Sequence, residues 1–218
     1  MIAFIDCYLD SPANHCVNYF NEQNNIISTY HIASKYGLES LKELESKPTA
    51  YIILGSASNV TTPLQWHLDL ANFIDQQLKN NIPTLGICFG HQLMASFYGS
   101  KVNFIDKERT YLQEVREIEF ISQFSNYKPH QKTLLSFAHA QIIKNLSDAF
   151  IPIAKSEKFK NEIIKHKELP FIGIQAHPEA SRLFLKKTVE LDNCSKDLLS
   201  NGQNFLREFY KYAQSISN

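Results

Sequence analysis

The chain has little that would mark it for nucleic acid, for a membrane or for secretion. Lys+Arg and Asp+Glu balance at 22 each, so no excess charge indicates a nucleic-acid or anionic-membrane partner. No apolar run is long enough to span a bilayer, and residues 1–6 lack the basic region of a signal peptide. The four cysteines show no C-x-x-C spacing, which indicates reduced thiols rather than a disulfide framework. We therefore expect a cytoplasmic protein.

The first half of the chain alternates short apolar segments with amphipathic ones. Strands are predicted at 2–5, 26–32 and 49–54, and helices at 38–44, at 64–78 and after a Ser11-Pro12 N-cap. This alternation predicts an α/β fold with a doubly wound, mostly parallel sheet, helices on both faces and a site at the strands' carboxyl ends. A chain of 218 residues is long enough for one sizeable core, so we expect a single domain over 1–218.

The second half changes character. Residues 101–120 alternate apolar with charged positions, which predicts a small antiparallel excursion. Further strands are predicted at 132–138 and 149–154, a buried strand at 171–176, and helices at 182–191 and 195–213. No repeat or low-complexity segment interrupts this order.

A nucleophile-elbow pattern lies in residues 82–95. An apolar run of strand type reaches Cys88 and continues as a helix, with Gly86 and Gly90 two residues to either side of the cysteine. The glycines leave room for a strained turn in which a side chain would crowd the neighbouring backbone. Cys88 would then lie at a helix N-terminus, which favours its thiolate, and the amide of Phe89 would face a developing oxyanion.

A second pattern, Gln-Ala-His-Pro-Glu, follows the predicted strand at 171–176. His177 lies at the strand end, and Pro178 favours an extended backbone that turns the side chain of Glu179 to the same side. The carboxylate can then orient the imidazole, which can take the proton of a thiol. Cys88, His177 and Glu179 are therefore a candidate catalytic triad.

Each of these residues also has a plain structural interpretation. A lone cysteine at the end of a buried strand is more often a core residue than a nucleophile, and a lone histidine is more often a hydrogen-bonded core residue. His91, on the nucleophile's helix, could compete as the base, but it would lie behind the thiol, so we favour a structural role. Asp6, at the end of the first strand, is an alternative acid near the site.

Gly-Ile-Cys-Phe-Gly-His-Gln together with Gln-Ala-His-Pro-Glu resembles the class I (triad) glutamine amidotransferase family. The nearest members are stand-alone domains similar to the amidotransferase domain of GMP synthase. The resemblance implies a flavodoxin-like fold, no cofactor and no metal. It also implies that Cys88 attacks the side-chain amide of glutamine and forms a γ-glutamyl thioester, with His177 as base and acid. The oxyanion would be held by the amides of Phe89 and Ser56, with Gly55 allowing the loop to approach.

Gln92 matches the family position that contacts the polar ends of the glutamine. Residues 137–141 match the family's Ser-His-Gly or Asn-His-Gly stretch, so Ala138, His139 and Ala140 are the remaining candidates for substrate binding. Two departures stand out. The loop after the third strand reads Gly55-Ser56-Ala57 where the family usually has Gly-Gly-Pro or Asn-Gly-Pro, and Ala138 and Ala140 replace residues that usually hold the glutamine α-groups.

Three functions follow from this resemblance. The first is glutamine hydrolysis that delivers ammonia to an acceptor. Because the chain has no phosphate-binding motif of its own, the acceptor would be a separate synthase chain or a small molecule that binds directly. The second is a γ-glutamyl hydrolase that uses the same triad without a partner. The third is a non-catalytic regulatory protein on the same scaffold, against which the intact Cys, His and Glu argue.

Overall fold

The computed structural model describes residues 1–188 and 195–217. The strands are β1 (Ile2–Asp6), β2 (Ser28–Ile32), β3 (Ala50–Ile53), β4 (Thr84–Ile87), β5 (Lys101–Phe104), β6 (Leu112–Phe120), β7 (Lys132–His139), β8 (Gln141–Asn145), β9 (Phe150–Lys155), β10 (Ile163–His166) and β11 (Phe171–Ile174). The helices are α1 (Asn14–Asn24), α2 (Ala33–Tyr36), α3 (Glu39–Lys42), α4 (Gln65–Lys79), α5 (Phe89–Phe97), α6 (Arg182–Thr188) and α7 (Ser195–Ser217).

Nine strands form one sheet in the order β2–β1–β3–β4–β11–β10–β9–β6–β7, and β5 pairs with β8 in a second, antiparallel sheet. Pairing is parallel from β2 to β11 and antiparallel from β11 onward to β7. The α/β fold class and the small antiparallel sheet are confirmed. The sequence did not predict that the antiparallel strands of the second half continue the main sheet.

The pairing of β4 with β11 positions the site. Ile174 is level with Ile87 in a parallel register, so the two strands end together. The amide of Cys88 donates to the carbonyl of Ile174 at 2.8 Å. The segment that follows β11 and carries His177 therefore emerges beside the cysteine.

Helices cover both faces of the sheet, as expected for a doubly wound fold. On one face α1 and α7 bury Phe20, Phe205 and Phe209 against the strands. On the other, α4 and α5 contribute Ile74 and Met94 to a second core. No helix within residues 1–188 and 195–217 is long and apolar enough to cross a bilayer.

The start of the first helix was predicted wrongly. Helix α1 begins at Asn14, after Ala13, and not at Ser11-Pro12. The physical reason is Asp6, whose carboxylate accepts hydrogen bonds from the amides of Ala13 and Tyr8, both at 2.8 Å. These bonds hold the segment after β1 against the strand end. Because of them the helix starts later than the local signal indicates.

Three short elements were missed by sequence reasoning. Strand β8 follows β7 after a single residue, so the two read as one interrupted pattern. Strand β10 and helix α2 have four residues each, too few for a clear period. The predicted helix at 182–191 is α6 as far as Thr188, and its remainder lies outside the described residues.

Candidate active site

Cys88 lies at the turn between β4 and α5 in a strained backbone conformation. Its φ is 49° and its ψ is −94°, values that L-residues rarely adopt. A Cβ on Gly86 would lie 2.6 Å from the carbonyl carbon of Gly90, and a Cβ on Gly90 would lie 2.7 Å from Cβ of Ile53. The expected crowding at both glycines is confirmed. Because neither glycine has a side chain, the chain can turn sharply between them at a non-glycine residue.

The thiol of Cys88 is buried, with only 5% of the residue exposed. Its Sγ lies 3.7 Å from the carbonyl oxygen of Ala138, at the end of β7. Among the residues that the structure describes, the amides of Phe89 and Ser56 donate to no protein acceptor. A helix N-terminus and an unpaired loop amide are the donors that an oxyanion next to this sulfur would need.

His177 and Glu179 form a buried hydrogen-bonded pair, with Nδ1 of the histidine 2.8 Å from Oε1 of the glutamate. The amide of His177 donates to the carbonyl of Ser136 on β7 at 2.9 Å. The ring of Phe184 on α6 lies 4.7 Å from the imidazole, centroid to centroid. The histidine is therefore fixed by a carboxylate, a neighbouring strand and an aromatic ring, and its Nε2 has no hydrogen-bond partner within the described chain.

The charge on His177 follows from its surroundings. Burial disfavours the imidazolium, but the Glu179 carboxylate and the Cys88 sulfur outweigh it and hold the pKa of His177 well above its ordinary value. A protonated imidazole beside a thiol favours the thiolate, the reactive form of cysteine.

Gly55 shows that the loop after β3, the nucleophile and the histidine meet at one point. A Cβ on Gly55 would lie 2.8 Å from Cε1 of His177 and 3.6 Å from Cβ of Cys88. Only glycine fits there, and the next amide along the chain belongs to Ser56. The structure thus brings the three predicted triad residues close together, with the residues of both predicted oxyanion donors, Phe89 and Ser56, next in the chain to Cys88 and Gly55.

The predicted substrate-binding residues divide into two groups. Ala138 presents its carbonyl oxygen beside the thiol, while the carbonyl of Ala140 accepts a hydrogen bond from the amide of Ile105. Gln92 and His139 are instead engaged by the protein. Nε2 of Gln92 donates to the carbonyl of Gln141 at 2.7 Å and to Oε1 of Gln175 at 2.9 Å.

His139 lies in a buried polar network that sequence reasoning missed. Its Nδ1 is 3.1 Å from the carbonyl of Gln141 and its Nε2 is 3.1 Å from a guanidinium nitrogen of Arg116, so Nδ1 carries the proton. Arg116 also contacts Glu162 and lies over the ring of Phe137. Burial and the Arg116 charge lower the pKa of His139 to about 3. The alternating charges of β6 gave no signal that Arg116 points inward.

The two alternative residues have structural surroundings. His91 is fully buried against Gly173, where a Cβ would lie 2.5 Å from its Nδ1. Burial lowers the pKa of His91 to about 3, so the ring is neutral. Asp6 accepts from two backbone amides and from the hydroxyl of Tyr30. Its two oxygens thus bind the segment after β1 and Tyr30 on β2, which indicates a structural role for Asp6.

Comparison with known proteins agrees with this fold. A family model for glutamine amidotransferase class-I matches residues 3–192. The glutamine-hydrolyzing GMP synthase subunit of Pyrococcus abyssi is 39% identical over 144 residues, 66% of this chain and 72% of that protein. The corresponding subunit of Methanopyrus kandleri is 34% identical over 107 residues, 49% of this chain and 56% of that protein.

Among solved structures, a Thermoplasma acidophilum protein proposed to be a GMP synthase subunit superposes with a TM-score of 0.73 at 18% identity. The superposition covers 99% of this chain and 95% of that one. At this identity the likeness concerns the fold alone.

The molecule is thus a doubly wound α/β protein with a buried cysteine at an elbow turn. The chain belongs to the class-I glutamine amidotransferase family of enzymes.

Proposed function

We propose that the chain hydrolyses the side-chain amide of glutamine through Cys88, His177 and Glu179 and delivers the ammonia to a separate synthase chain. The observation that carries this proposal is a close approach: a strained elbow cysteine and a buried His177–Glu179 pair with a free Nε2 both lie against the position of Gly55. The names of the relatives make a GMP-forming synthase the first acceptor to test.

The reaction follows from these groups. Sγ of Cys88 attacks the amide carbon, and the carbonyl electron pair moves to oxygen, where the amides of Phe89 and Ser56 donate to it. When the intermediate collapses, the C–N bond breaks and His177 gives its proton to the departing nitrogen, which leaves as ammonia. Water then loses a proton to His177 and attacks the thioester, which releases glutamate and restores the thiol.

Ala138 and Ala140 support a second candidate, a γ-glutamyl hydrolase. The carbonyl oxygen of Ala138 lies 3.7 Å from the Cys88 sulfur, and neither alanine carries a polar side chain that could hold the α-groups of a free glutamine. An enzyme of this kind would release an amine from γ-glutamyl amides without a partner. A non-catalytic regulatory protein is the least favoured candidate, because the nucleophile, base and carboxylate are all present and assembled.

The test uses the purified chain, alone and with a GMP-forming synthase chain, its nucleotide substrates and glutamine. We expect glutamate release that is stimulated by the synthase and abolished in Cys88→Ala. Cys16→Ala is the matched control, since that thiol is also buried and burial raises its pKa to about 12. Release of amine from γ-glutamyl amides without release of ammonia from glutamine would favour the hydrolase. Turnover that persists in Cys88→Ala would overturn both candidates.

A further inference from the structure

Gln141, at the start of β8, joins the loop at residues 55–63 to the rest of the site. Its Oε1 accepts from the amide of Val60 at 3.0 Å, and its Nε2 donates to Oγ1 of Thr61 at 2.6 Å. The side chain is buried, with 3% of the residue exposed. A carboxamide offers an acceptor and a donor on one planar group, so a single side chain binds two consecutive residues of the loop.

The backbone of Gln141 is held on the opposite side. Its carbonyl accepts from Nε2 of Gln92 on the nucleophile's helix at 2.7 Å and from Nδ1 of His139 at 3.1 Å. The side chain therefore extends from a backbone position that is held by hydrogen bonds. Movement of the loop relative to α5 must break one of these buried bonds, which costs more than a bond exposed to water.

The loop has two further anchors at its beginning. Oγ of Ser56 donates to the carbonyl of Cys7 and accepts from the amide of Ser58 at 3.0 Å. Oγ of Ser58 lies 2.9 Å from Nε2 of His67 on α4. Since Nδ1 of His67 accepts from the amide of Leu64, Nε2 carries the proton and donates to Ser58. Beyond Ser58, the side chain of Val60 packs into the core, and the side chain of Gln141 supplies the hydrogen bonds from outside the loop, within the part of the chain that the structure describes.

We propose that Gln141 is a positioning residue for the oxyanion hole, holding the loop so that the Ser56 amide points at the developing negative charge. The proposal rests on the proposed function, because it assumes that Cys88 forms a tetrahedral intermediate. Gln141 acts through the loop and does not itself contact the thiol. A misaimed donor weakens binding of the transition state and leaves binding of the ground state nearly unchanged, so its effect falls on kcat rather than KM.

Four variants of the full chain test this proposal. Gln141→Met removes both side-chain hydrogen bonds at similar volume. Gln141→Glu keeps the acceptor for Val60, and the Thr61 hydroxyl can rotate to donate to it. Thr61→Val removes one bond, and Thr62→Val makes the same change at an exposed neighbour in the same loop, whose side chain has no part in these contacts. The thermal unfolding temperature of each variant shows whether it folds.

The kinetic readout is glutamine hydrolysis with the synthase present. Removal of an oxyanion donor costs about 10²–10³ in kcat, so we expect Gln141→Met to lose at least roughly tenfold in kcat with KM nearly unchanged. Thr61→Val should lose less, while Gln141→Glu should retain most of the activity and Thr62→Val all of it. Unchanged kcat in Gln141→Met, or equal losses in Thr61→Val and Thr62→Val, would overturn the proposal. If Gln141→Met does not fold, the threonine pair decides alone.

A second readout separates this proposal from the proposed function. Alkylation of Cys88 by iodoacetamide needs the thiolate but no oxyanion, whereas acylation by p-nitrophenyl acetate passes through one. We expect Gln141→Met to lower the acylation rate relative to alkylation, with Cys88→Ala as the background. Equal losses in both rates contradict a positioning role. If the wild-type chain hydrolyses no glutamine, the proposed function fails, and the ratio of the two rates still decides the role of Gln141.

Discussion

Two buried histidines lie near the thiol, His177 after β11 and His139 at the end of β7. The first favours its charged form and the second is neutral. His177 has a carboxylate, Glu179, 2.8 Å from its Nδ1, and its pKa is raised although burial opposes the charge. His139 has the Arg116 guanidinium 3.1 Å from its Nε2, and its pKa is lowered to about 3 by burial and by that charge. Similar burial thus yields a histidine that favours the protonated form in one region and a neutral histidine in the other. The sign of the nearest charge decides which.

The most decisive test of this difference between the two histidines is to replace each by glutamine and measure glutamine hydrolysis. General acid–base catalysis contributes about 10²–10⁴ in rate, so His177→Gln should lose that much. His139→Gln should lose less than roughly tenfold, because glutamine can still donate toward the Gln141 carbonyl and accept from Arg116. Equal losses in the two variants would mean that the charge states do not distinguish their roles.

The charge beside His139 can be removed by Arg116→Met. Glu162 is 1% exposed, its Oε2 has no partner among the described residues, and Arg116 binds its Oε1. Loss of one member of a buried ion pair costs about 3–5 kcal/mol, and we expect a loss near the lower end in denaturant unfolding. The double variant Arg116→Met/Glu162→Leu should recover most of it. A loss below about 1 kcal/mol in the single variant would contradict the interpretation of this network as a paired buried charge.

Glu179→Gln removes the charge beside His177 and keeps the shape. Without the carboxylate the pKa of His177 should fall, so the alkaline limb of the pH profile of kcat/KM, which reports loss of the imidazolium, moves to lower pH. We expect turnover to fall by at least roughly tenfold with the fold intact, less than for the equivalent serine triads because a thiol ionises more readily. An unchanged pH profile would show that another group orients the histidine.

The smallest expected effect is on stability against pH. The unfolded chain binds a proton on each histidine at about pH 6.5, but folded His139 stays neutral until about pH 3. Its contribution to stability is therefore complete above about pH 6.5 and is lost as the pH falls, by about 1.4 kcal/mol per pH unit. His139→Gln should lessen the decline in unfolding free energy between about pH 7 and about pH 5.

His177→Gln should act in the other direction in the same measurement. The folded pKa of His177 lies above its unfolded value, so its contribution is present below about pH 6.5 and is lost as the pH rises through the folded pKa. With the measurement extended above about pH 6.5, removing it should lessen the loss of unfolding free energy as the pH rises. An unchanged slope above about pH 6.5 in His177→Gln would contradict the assigned charge state.

The features that depend on a few consecutive residues could be predicted from the sequence. The elbow at Cys88 follows from glycines two residues to either side, because local steric crowding alone decides whether the chain can turn there. The His177–Glu179 pair follows from its spacing and from Pro178, since an extended backbone turns alternate side chains to one side. The buried parallel strands followed from their apolar runs for the same local reason.

Which residues from distant parts of the sequence lie in contact depends on the tertiary structure. Cys88 and His177 lie close together because β11 pairs with β4, a register set by the whole sheet. The inward turn of Arg116 and the hold of Gln141 on the loop each join segments far apart in the chain. From the sequence alone, polar side chains such as these are predicted to lie on the surface. Burial becomes favourable only when the fold supplies a partner for each donor and acceptor, and no local pattern records that partner.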